Sequence, residues 1–472
     1  MQRNSVSRAV AACLCLAGTA LTASAYAAVD QDGFHALLKA GVYFIDNPFA
    51  VPPGQPKHSD VTGRFSPELG YTHVTDRTEI DLNYTLDAVQ YASSDGLNSA
   101  QHQAIAKALW KALPEWLSLE VNAKRFQQSA DPLGRSRLDG LLGDTNAVDV
   151  TAASFVPRLR HEFGHTTLQG YYEVSRTKYD WKNALLAPTQ LRDANDQNGY
   201  AAFGTTRDDG AFSWKVAAEH QRTTYGTAAL QPFQYDKLNA QVGVPVGARW
   251  TALAAVGVET NISQSSSKGG LDSNTWEVGA RWNGPQGKTR LEVAVGERFF
   301  GKSFRAEFIR EAKLLTLKGS YLETPTTETA RLTRAVPVFA VGTDTPINDP
   351  FLLKQAEFSA TLNGSRTSLT FGGYDQRRQF IATPLRGDDT RRGLTGRVVR
   401  HLSSRMDLAF DGSWTQVKVD GSGQFKEAEG GLELSREVGR NTALILGARR
   451  WHRAGAEPFK VIAGYLQVAM RF

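Results

Sequence analysis

The sequence predicts an all-β protein, a single closed antiparallel transmembrane β-barrel of about 22 strands, within a range of roughly 18–24. Three observations lead to this fold class. Apolar residues recur at every second position through most of the chain. Short turns alternate with long polar loops. The chain ends with an apolar-alternating segment that closes at Phe472.

The period of two is clearest in the middle of the chain. Between residues 237 and 246, apolar side chains such as Leu238, Val242 and Val246 alternate with polar ones such as Lys237 and Gln241. The same alternation occurs in residues 79–87, 250–259, 276–283, 291–295 and 406–414. Because successive side chains of a strand point to opposite faces, each segment is predicted to be a strand with one apolar face and one polar face.

The connections between these segments also alternate. Short turns are predicted at residues 75–77, 207–210, 363–366, 403–405 and 439–441, and the longest loops at 129–151, 179–197 and 325–350. Short periplasmic turns and long extracellular loops are typical of barrels in the outer membrane of Gram-negative bacteria. An even strand number then places both termini in the periplasm.

The polar face argues for a membrane barrel rather than a soluble one. Ten charged residues are predicted to line the lumen: Glu79, Asp81, Lys215, Glu219, Glu259, Glu277, Arg281, Glu292, Glu429 and Glu433. A packed core cannot hold so many ions, because each costs several kcal/mol when buried. A water-filled lumen can, and the apolar face then contacts lipid, where closure of the barrel satisfies the backbone. The lumen of so large a barrel is either open or filled by loops such as 129–151 and 325–350.

Residues 1–27 are predicted to be a signal peptide, and residues 28–472 the barrel. A basic start at Arg3 and Arg8 precedes an apolar stretch, and residues 25–27 form a small-x-small cleavage site. A lipobox ending at Cys13 is the alternative, but only four residues separate Arg8 from Cys13, too few for a signal core.

The rest of the composition narrows the function. Both cysteines, Cys13 and Cys15, lie within the predicted signal, so no disulfide, thiolate metal site or cysteine nucleophile is expected in the mature chain. A formal net charge of +6 is too mild to indicate a nucleic-acid partner. After the signal, no segment approaches the 18 or so consecutive apolar residues of a transmembrane helix.

The C-terminal segment resembles the signal by which barrel-assembly machinery recognises outer-membrane proteins, with Phe472 as its last residue. The alternative is an ordinary final strand of a soluble sandwich. Aromatic residues near predicted strand ends fit interfacial girdles in contact with lipid and lipopolysaccharide, although scattered core aromatics are the simpler explanation for any one of them. These are Tyr71, Trp110, Trp116, Trp250, Trp282 and Trp451.

The stretch HEFGH at residues 161–165 matches the zinc-peptidase pattern His-Glu-x-x-His. Two histidines four residues apart reach one ion on a helix, but on a strand they lie about 13 Å apart. Pro157, Gly164 and the alternation on both sides favour a hairpin turn. The match is therefore interpreted as accidental, and no catalytic, metal or cofactor site is predicted.

Residues 366–405 are rich in arginine. Five arginines around a predicted loop at 380–390 are candidates for contact with lipopolysaccharide phosphates or an acidic glycan, because guanidinium groups bind such anions in a bidentate way. They are Arg377, Arg378, Arg386, Arg391 and Arg392. The alternative is a solvated loop with lumen-lining charge.

Three stretches together carry a family resemblance: SDVTGRFSPELGY (59–71), ERFFGKSFRAEFIREAK (297–313) and SYLETPTTETAR (320–331). With them, most of the mature chain resembles outer-membrane barrels associated with exosortase (PEP-CTERM) sorting and exopolysaccharide gene clusters, the EpsL-like kind. FFGKSF is expected to form a tight connection and ETPTTET to open a long loop. The resemblance carries over no catalytic residue.

Three functions remain open. The resemblance implies a porin-like conduit or surface-assembly component for exopolysaccharide or biofilm matrix, with exopolysaccharide as a partner. The second is a non-conducting structural or anchoring barrel whose long loops bind partners. The third is an outer-membrane enzyme, which the accidental nature of HEFGH disfavours.

Overall fold

The computed structural model describes residues 32–129, 131, 133–134, 141, 146–181, 192–205, 212–226, 232–260, 272–333, 349–381 and 387–472. Within these residues the chain forms one 22-stranded antiparallel sheet in which each strand pairs with the next along the chain. The predicted signal peptide lies outside the described residues.

The strands β1 to β22 are, in chain order, Gly33–Ile45, Asp60–Val74, Thr78–Tyr91, Ser99–Leu113, Leu117–Ser129, Ala147–Phe163, Thr166–Trp181, Ala194–Thr205, Ser213–Tyr225, Phe233–Val246, Trp250–Thr260, Ser273–Asn283, Thr289–Arg298, Gly301–Glu311, Leu315–Thr326, Phe351–Asn363, Thr367–Phe380, Asp389–Ser403, Met406–Val419, Gly423–Glu437, Thr442–Gly455 and Phe459–Arg471. Helical structure in the described residues is limited to two short 3-10 segments, Asp95–Leu97 and Pro285–Gly287, and one short helix, α1, at Glu328–Thr333. No helix in the described part of the chain is long and apolar enough to cross a membrane.

The sheet closes on itself between its first and last strands. β1 pairs with β22 from Leu37 opposite Arg471 to Ile45 opposite Ala463. The backbone of the last residue extends this seam, because the Phe472 N–H donates to the Ala36 carbonyl at 3.0 Å. The predicted closed antiparallel barrel is therefore confirmed, including its strand number.

The outer face carries the apolar residues of the period-two pattern. Val256, Phe304, Leu446 and Leu466 are all half-exposed or more, and similar side chains occur on strands around the whole ring. A soluble monomer rarely exposes a contiguous apolar surface of more than a few hundred Å². A continuous apolar belt on a closed barrel is what a membrane-spanning barrel requires.

The two ends of the barrel differ in their connections. At one end, here the short-turn end, all the described connections are tight, such as those at 75–77, 164–165 and 404–405. The opposite end, here the loop end, carries the connections at 130–146, 182–193 and 327–350, which fall within the three loops predicted to be longest, but the connection at 46–59, which is not among those predicted, is longer than 182–193. It also carries tight connections, among them Phe299–Phe300 within the FFGKSF stretch, as predicted.

The aromatic residues predicted to form girdles divide into two groups. Trp110, Trp116 and Trp250 are exposed on the outer face at the short-turn end, and Trp282 lies beside Trp250 with ring centroids 6.5 Å apart. For Trp451 the prediction of a membrane-facing position is wrong, because the side chain is only 1% exposed and packs inside the barrel. Leu446 faces outward in the same strand, so alternation turns Trp451 inward.

Candidate functional site: the lumen and its inward-folded segments

The ten charged residues predicted to line the lumen all lie on the strand face opposite the apolar belt. In β11, for example, Val256 is 64% exposed on the outside, whereas Glu259, an odd number of residues later, is fully buried inside. The remaining nine are related to outward-facing neighbours in the same way. Alternation along each strand therefore gathers them on the inner wall.

Three of the ten meet in one ion-pair network on β12, β13 and β14. Glu292 accepts hydrogen bonds from Arg281 at 2.7 Å and from Arg290 at 3.1 Å, and it also pairs with Arg305. Arg305 in turn donates to Glu277 at 2.6 Å. In this network the buried Glu292 and Arg281 both have partners of opposite charge. Such pairing matters because an unpaired charge is costly to bury.

Other predicted lumen residues also have partners across the strands. Glu259 accepts from Arg298 at 2.7 Å and from the Tyr235 hydroxyl at 2.9 Å. Glu429 accepts from Arg449 at 2.6 Å.

Nearer the short-turn end, Glu79 pairs with Lys107 at 3.2 Å, and Glu433 accepts a hydrogen bond from the Tyr465 hydroxyl at 3.1 Å. Asp81 also lies opposite Lys107, and Lys215 lies opposite Gln241. Much of the inner wall is thus a ladder of ion pairs rather than a row of separate hydrated charges.

A segment after β15 crosses the lumen. We call residues 327–333, which include α1, the strap. On one side α1 packs against β6, β7 and β8, and Thr329 donates to Asp196 of β8 at 3.0 Å. On the other side Glu328 pairs with Arg378 of β17 at 3.5 Å. Because β6 and β17 stand opposite each other in a ring of 22 strands, the strap joins opposite walls.

The strap is anchored by charged and hydroxyl groups at both ends. Arg378 is fully buried, pairs with Asp389 as well as Glu328, and lies 5.5 Å from the centroid of the Phe351 ring. At the other wall, the Thr327 and Thr223 hydroxyl oxygens are 3.0 Å apart, and Thr223 donates to Asp196 at 2.5 Å.

The arginines predicted to face an external anion are separated by the structure. Arg378 and Arg391 are fully buried on the inner wall beside Asp389, so for them the predicted position at the outer surface is wrong. Arg392 is exposed on the outer face and donates to Asp375 at 2.6 Å, and Arg377 is exposed on the same face. Arg386 lies outside the described residues. Strand alternation explains why these arginines face opposite sides of the wall. Arg377 and Arg378 are sequence neighbours, as are Arg391 and Arg392, and neighbouring residues of a strand point to opposite faces.

Part of the connection between β5 and β6 also lies inside the barrel. Arg453 of β21 donates to the carbonyls of Gly134 at 2.8 Å and Leu133 at 2.6 Å. Leu141 is buried against Tyr43 and Trp451, and its carbonyl accepts from the Tyr91 hydroxyl. Described residues from two of the three longest connections therefore occupy the lumen at the loop end. A lumen filled by loops was one of the two possibilities that the sequence left open, the other being an open pore.

HEFGH forms the hairpin between β6 and β7, as predicted. β6 ends at Phe163, Gly164 has a φ of 60° in the turn, and β7 begins at Thr166. The His161 ring stacks on Trp116 with centroids 3.5 Å apart. Among the described residues, no group of three or more His, Cys, Asp or Glu side chains is placed to hold a metal ion.

Replacing His161 with alanine is expected to leave Zn²⁺ binding unchanged, because a strand and turn do not bring the two imidazoles to one ion. The loss of the contact with Trp116 should lower stability by about 0.5–1.5 kcal/mol. Calorimetric titration with Zn²⁺ and thermal unfolding measure the two effects, with His165→Ala as the matched control. Stoichiometric zinc in the unaltered protein that disappears in either variant would contradict this interpretation.

Comparison with known proteins supports the fold. No protein-family model matches the sequence, and neither does any curated protein. The ferric enterobactin receptor PfeA of Pseudomonas aeruginosa, solved as a mutant in complex with enterobactin, has a TM-score of 0.51 at 11% identity, covering 94% of this chain and 82% of that chain. Another mutant of PfeA gives a TM-score of 0.50 at 10% identity, with 94% and 81% coverage. At such identities the likeness concerns the fold alone, so this chain shares the barrel fold of these receptors.

Proposed function

We propose that the protein is an outer-membrane conduit for hydrated solutes, with its strap and the inner part of the β5–β6 connection narrowing the passage at the loop end. The observation that carries this proposal is the combination of an apolar belt outside with charged walls inside. Water and hydrophilic solutes can pass along such walls, because paired and hydrogen-bonded groups replace part of their hydration. In the proposed orientation both termini are periplasmic and the loop end faces outward.

Exopolysaccharide, or another matrix glycan, is the proposed cargo. Support comes from the sequence resemblance to EpsL-like barrels, whose FFGKSF stretch here forms the Phe299–Phe300 connection and whose ETPTTET stretch leads into the strap. Polysaccharide synthesis and sorting genes beside this gene would add support. Lipopolysaccharide phosphates remain proposed partners for Arg377 and Arg392, which face outward near the loop end.

Reconstitution in planar lipid bilayers tests the conduit. We expect discrete single-channel currents at neutral pH. The reason is that the inner wall from β3 to β20 carries charged side chains of both signs, along which hydrated solutes can pass. Protein boiled before reconstitution is the control, because it has lost the closed barrel. A folded protein that inserts but gives no current above background would overturn the conduit.

That outcome would support the second candidate, a non-conducting anchoring barrel. The observation favouring it is the strap, which ties opposite walls together through Asp196 and Arg378. Pull-down of surface glycan by the folded, non-conducting barrel would then distinguish an anchor from a simple structural protein.

A further inference from the structure

A patch of the inner wall beneath the strap has a composition that the ion-pair ladder elsewhere does not share. Strand register places three rows of inward side chains side by side on β7, β8 and β9. From the loop end downward the rows are Ser175–Asp196–Thr223, Glu173–Asn198–Gln221 and Tyr171–Tyr200–Glu219. The upper row holds the strap, so the two lower rows form the wall directly below the constriction.

The lowest row presents two tyrosine rings to the lumen. Tyr171 and Tyr200 are partly exposed and lie side by side, with ring centroids 5.9 Å apart and an interplanar angle of 25°. The Arg158 guanidinium lies 5.3 Å from the centroid of the Tyr171 ring and is held at 2.9 Å from Glu120. Because Arg158 is fixed in this way, it holds the Tyr171 ring in a defined orientation beside Tyr200.

The middle row has hydrogen-bonding capacity that the protein does not use. Glu173 and Gln221 are only 4% and 3% exposed. Nevertheless, Glu173 Oε1 and Gln221 Nε2 have no hydrogen-bond partner in the described part of the structure. A buried acceptor and a buried donor left without partners cost about 1–3 kcal/mol each, so they favour a ligand or water that supplies the missing bonds.

These two rows match the chemistry of a sugar ring. A pyranose has an apolar C–H face that packs on an aromatic ring, and its hydroxyl groups both donate and accept hydrogen bonds. Adjacent rows along a strand are about 6.6 Å apart, so an oligosaccharide of a few sugar units can contact both rows at once. The nine positions include three carboxylates, Glu173, Asp196 and Glu219, whereas the flanking Arg158 is held by Glu120 and Lys237 lies opposite Glu219, so this wall disfavours an anionic sugar.

We propose that the wall formed by Tyr171, Tyr200, Glu173 and Gln221 is a binding site for an uncharged, linear oligosaccharide. The tyrosine rings stack on the sugar, while the carboxylate and the amide hydrogen-bond to its hydroxyl groups. The site rests on the proposed function, for which it supplies a class of cargo. Located just below the strap, it holds a chain as that chain passes the constriction.

Isothermal titration calorimetry on the folded protein in detergent tests the site without requiring ion current. The probes are maltohexaose and cellohexaose as neutral chains and an oligogalacturonate of the same length as an anionic one. Tyr171→Ala should weaken binding of the favoured neutral chain about tenfold, as expected for loss of one stacking contact. Tyr172→Ala is the matched control, because this neighbouring tyrosine faces outward and should leave binding unchanged.

The outcomes separate the site from the conduit. Equal affinity in the Tyr171→Ala and Tyr172→Ala proteins, no binding of either neutral chain, or tighter binding of the anionic chain would each overturn the site, even if the protein conducts ions. Binding that depends on Tyr171 in a protein that carries no current supports the site and overturns the conduit alone. Heat-modifiable gel migration confirms that both variants are folded.

Discussion

Replacing Arg378 with alanine is expected to release the strap and to increase single-channel conductance. The fully buried guanidinium lies between Glu328 of the strap and Asp389 of β18. Removing the guanidinium breaks the ion pair that ties the strap to β17, while Glu328 keeps Arg331 of the strap itself at 3.2 Å. Asp389 likewise keeps Arg391 within 3.8 Å, so both carboxylates retain an arginine and the strap can leave β17 without leaving an unpaired charge behind. Conductance in planar bilayers measures the change.

Three further variants make this experiment specific. Arg377→Ala changes the neighbouring arginine, which faces outward, and should leave conductance as it was. Glu328→Ala removes the strap's own carboxylate, leaves the Arg378–Asp389 pair in place and should also increase conductance. The pair Thr223→Cys with Thr327→Cys, whose native hydroxyls are 3.0 Å apart, should form a disulfide that holds the strap until a reductant is added. Unchanged conductance in folded Arg378→Ala and Glu328→Ala proteins would show that the strap does not limit the passage.

Replacing Phe472 with alanine is expected to abolish most assembly in cells while leaving refolding in detergent intact. The Phe472 side chain is 75% exposed and adds little packing. Its backbone bonds to Ala36, which extend the β1–β22 seam, do not depend on the side chain. The change therefore separates recognition by the assembly machinery from the stability of the barrel. Outer-membrane abundance and in vitro refolding yield measure the two.

Phe163→Ala is the matched control, because Phe163 is also an exposed aromatic residue at the short-turn end. We expect that variant to assemble normally. Normal abundance of the Phe472→Ala protein would instead show that the terminal aromatic ring is not the assembly signal.

The sequence is sufficient to predict the barrel because the main determinant of this fold, the alternation of apolar and polar residues, is local. Period-two patterning requires no knowledge of distant residues, and it predicts a final strand that ends at Phe472, next to the observed end of β22 at Arg471. The same rule places HEFGH in a hairpin and FFGKSF in a tight connection. Each of these features depends only on residues within one or two strands.

The predicted positions of Trp451, Arg378 and Arg391 are wrong because alternation was not followed to the ends of their strands. Trp451 follows the outward Leu446 by an odd number of residues, and Arg378 follows the outward Phe371 in the same way. Alternation alone therefore predicts that both side chains face inward. Because Trp451 and Arg378 lie near strand ends, the sequence suggested an interfacial girdle for Trp451 and a contact at the outer surface for Arg378 instead.

The candidate site could be predicted only in part. Which residues share the inner wall follows from alternation, but the row that joins Tyr171 to Tyr200 depends on strand register, which the sequence specifies weakly. The approach of Glu328 to Arg378 depends on the path of a loop across the lumen, where the two residues are 50 positions apart in sequence. No periodic pattern encodes such a contact.

The strap also governs the shape of the barrel's cross-section. Consecutive residues Glu328 and Thr329 reach Arg378 of β17 and Asp196 of β8, so these walls are joined through four side chains and one peptide unit. A closed curve of fixed perimeter encloses its largest area as a circle, and a tie between facing sides makes it an oval. Since the ladder of 22 strands fixes the perimeter, we expect that cutting the tie widens the bore by letting the ring become rounder, while every strand stays paired with its neighbours.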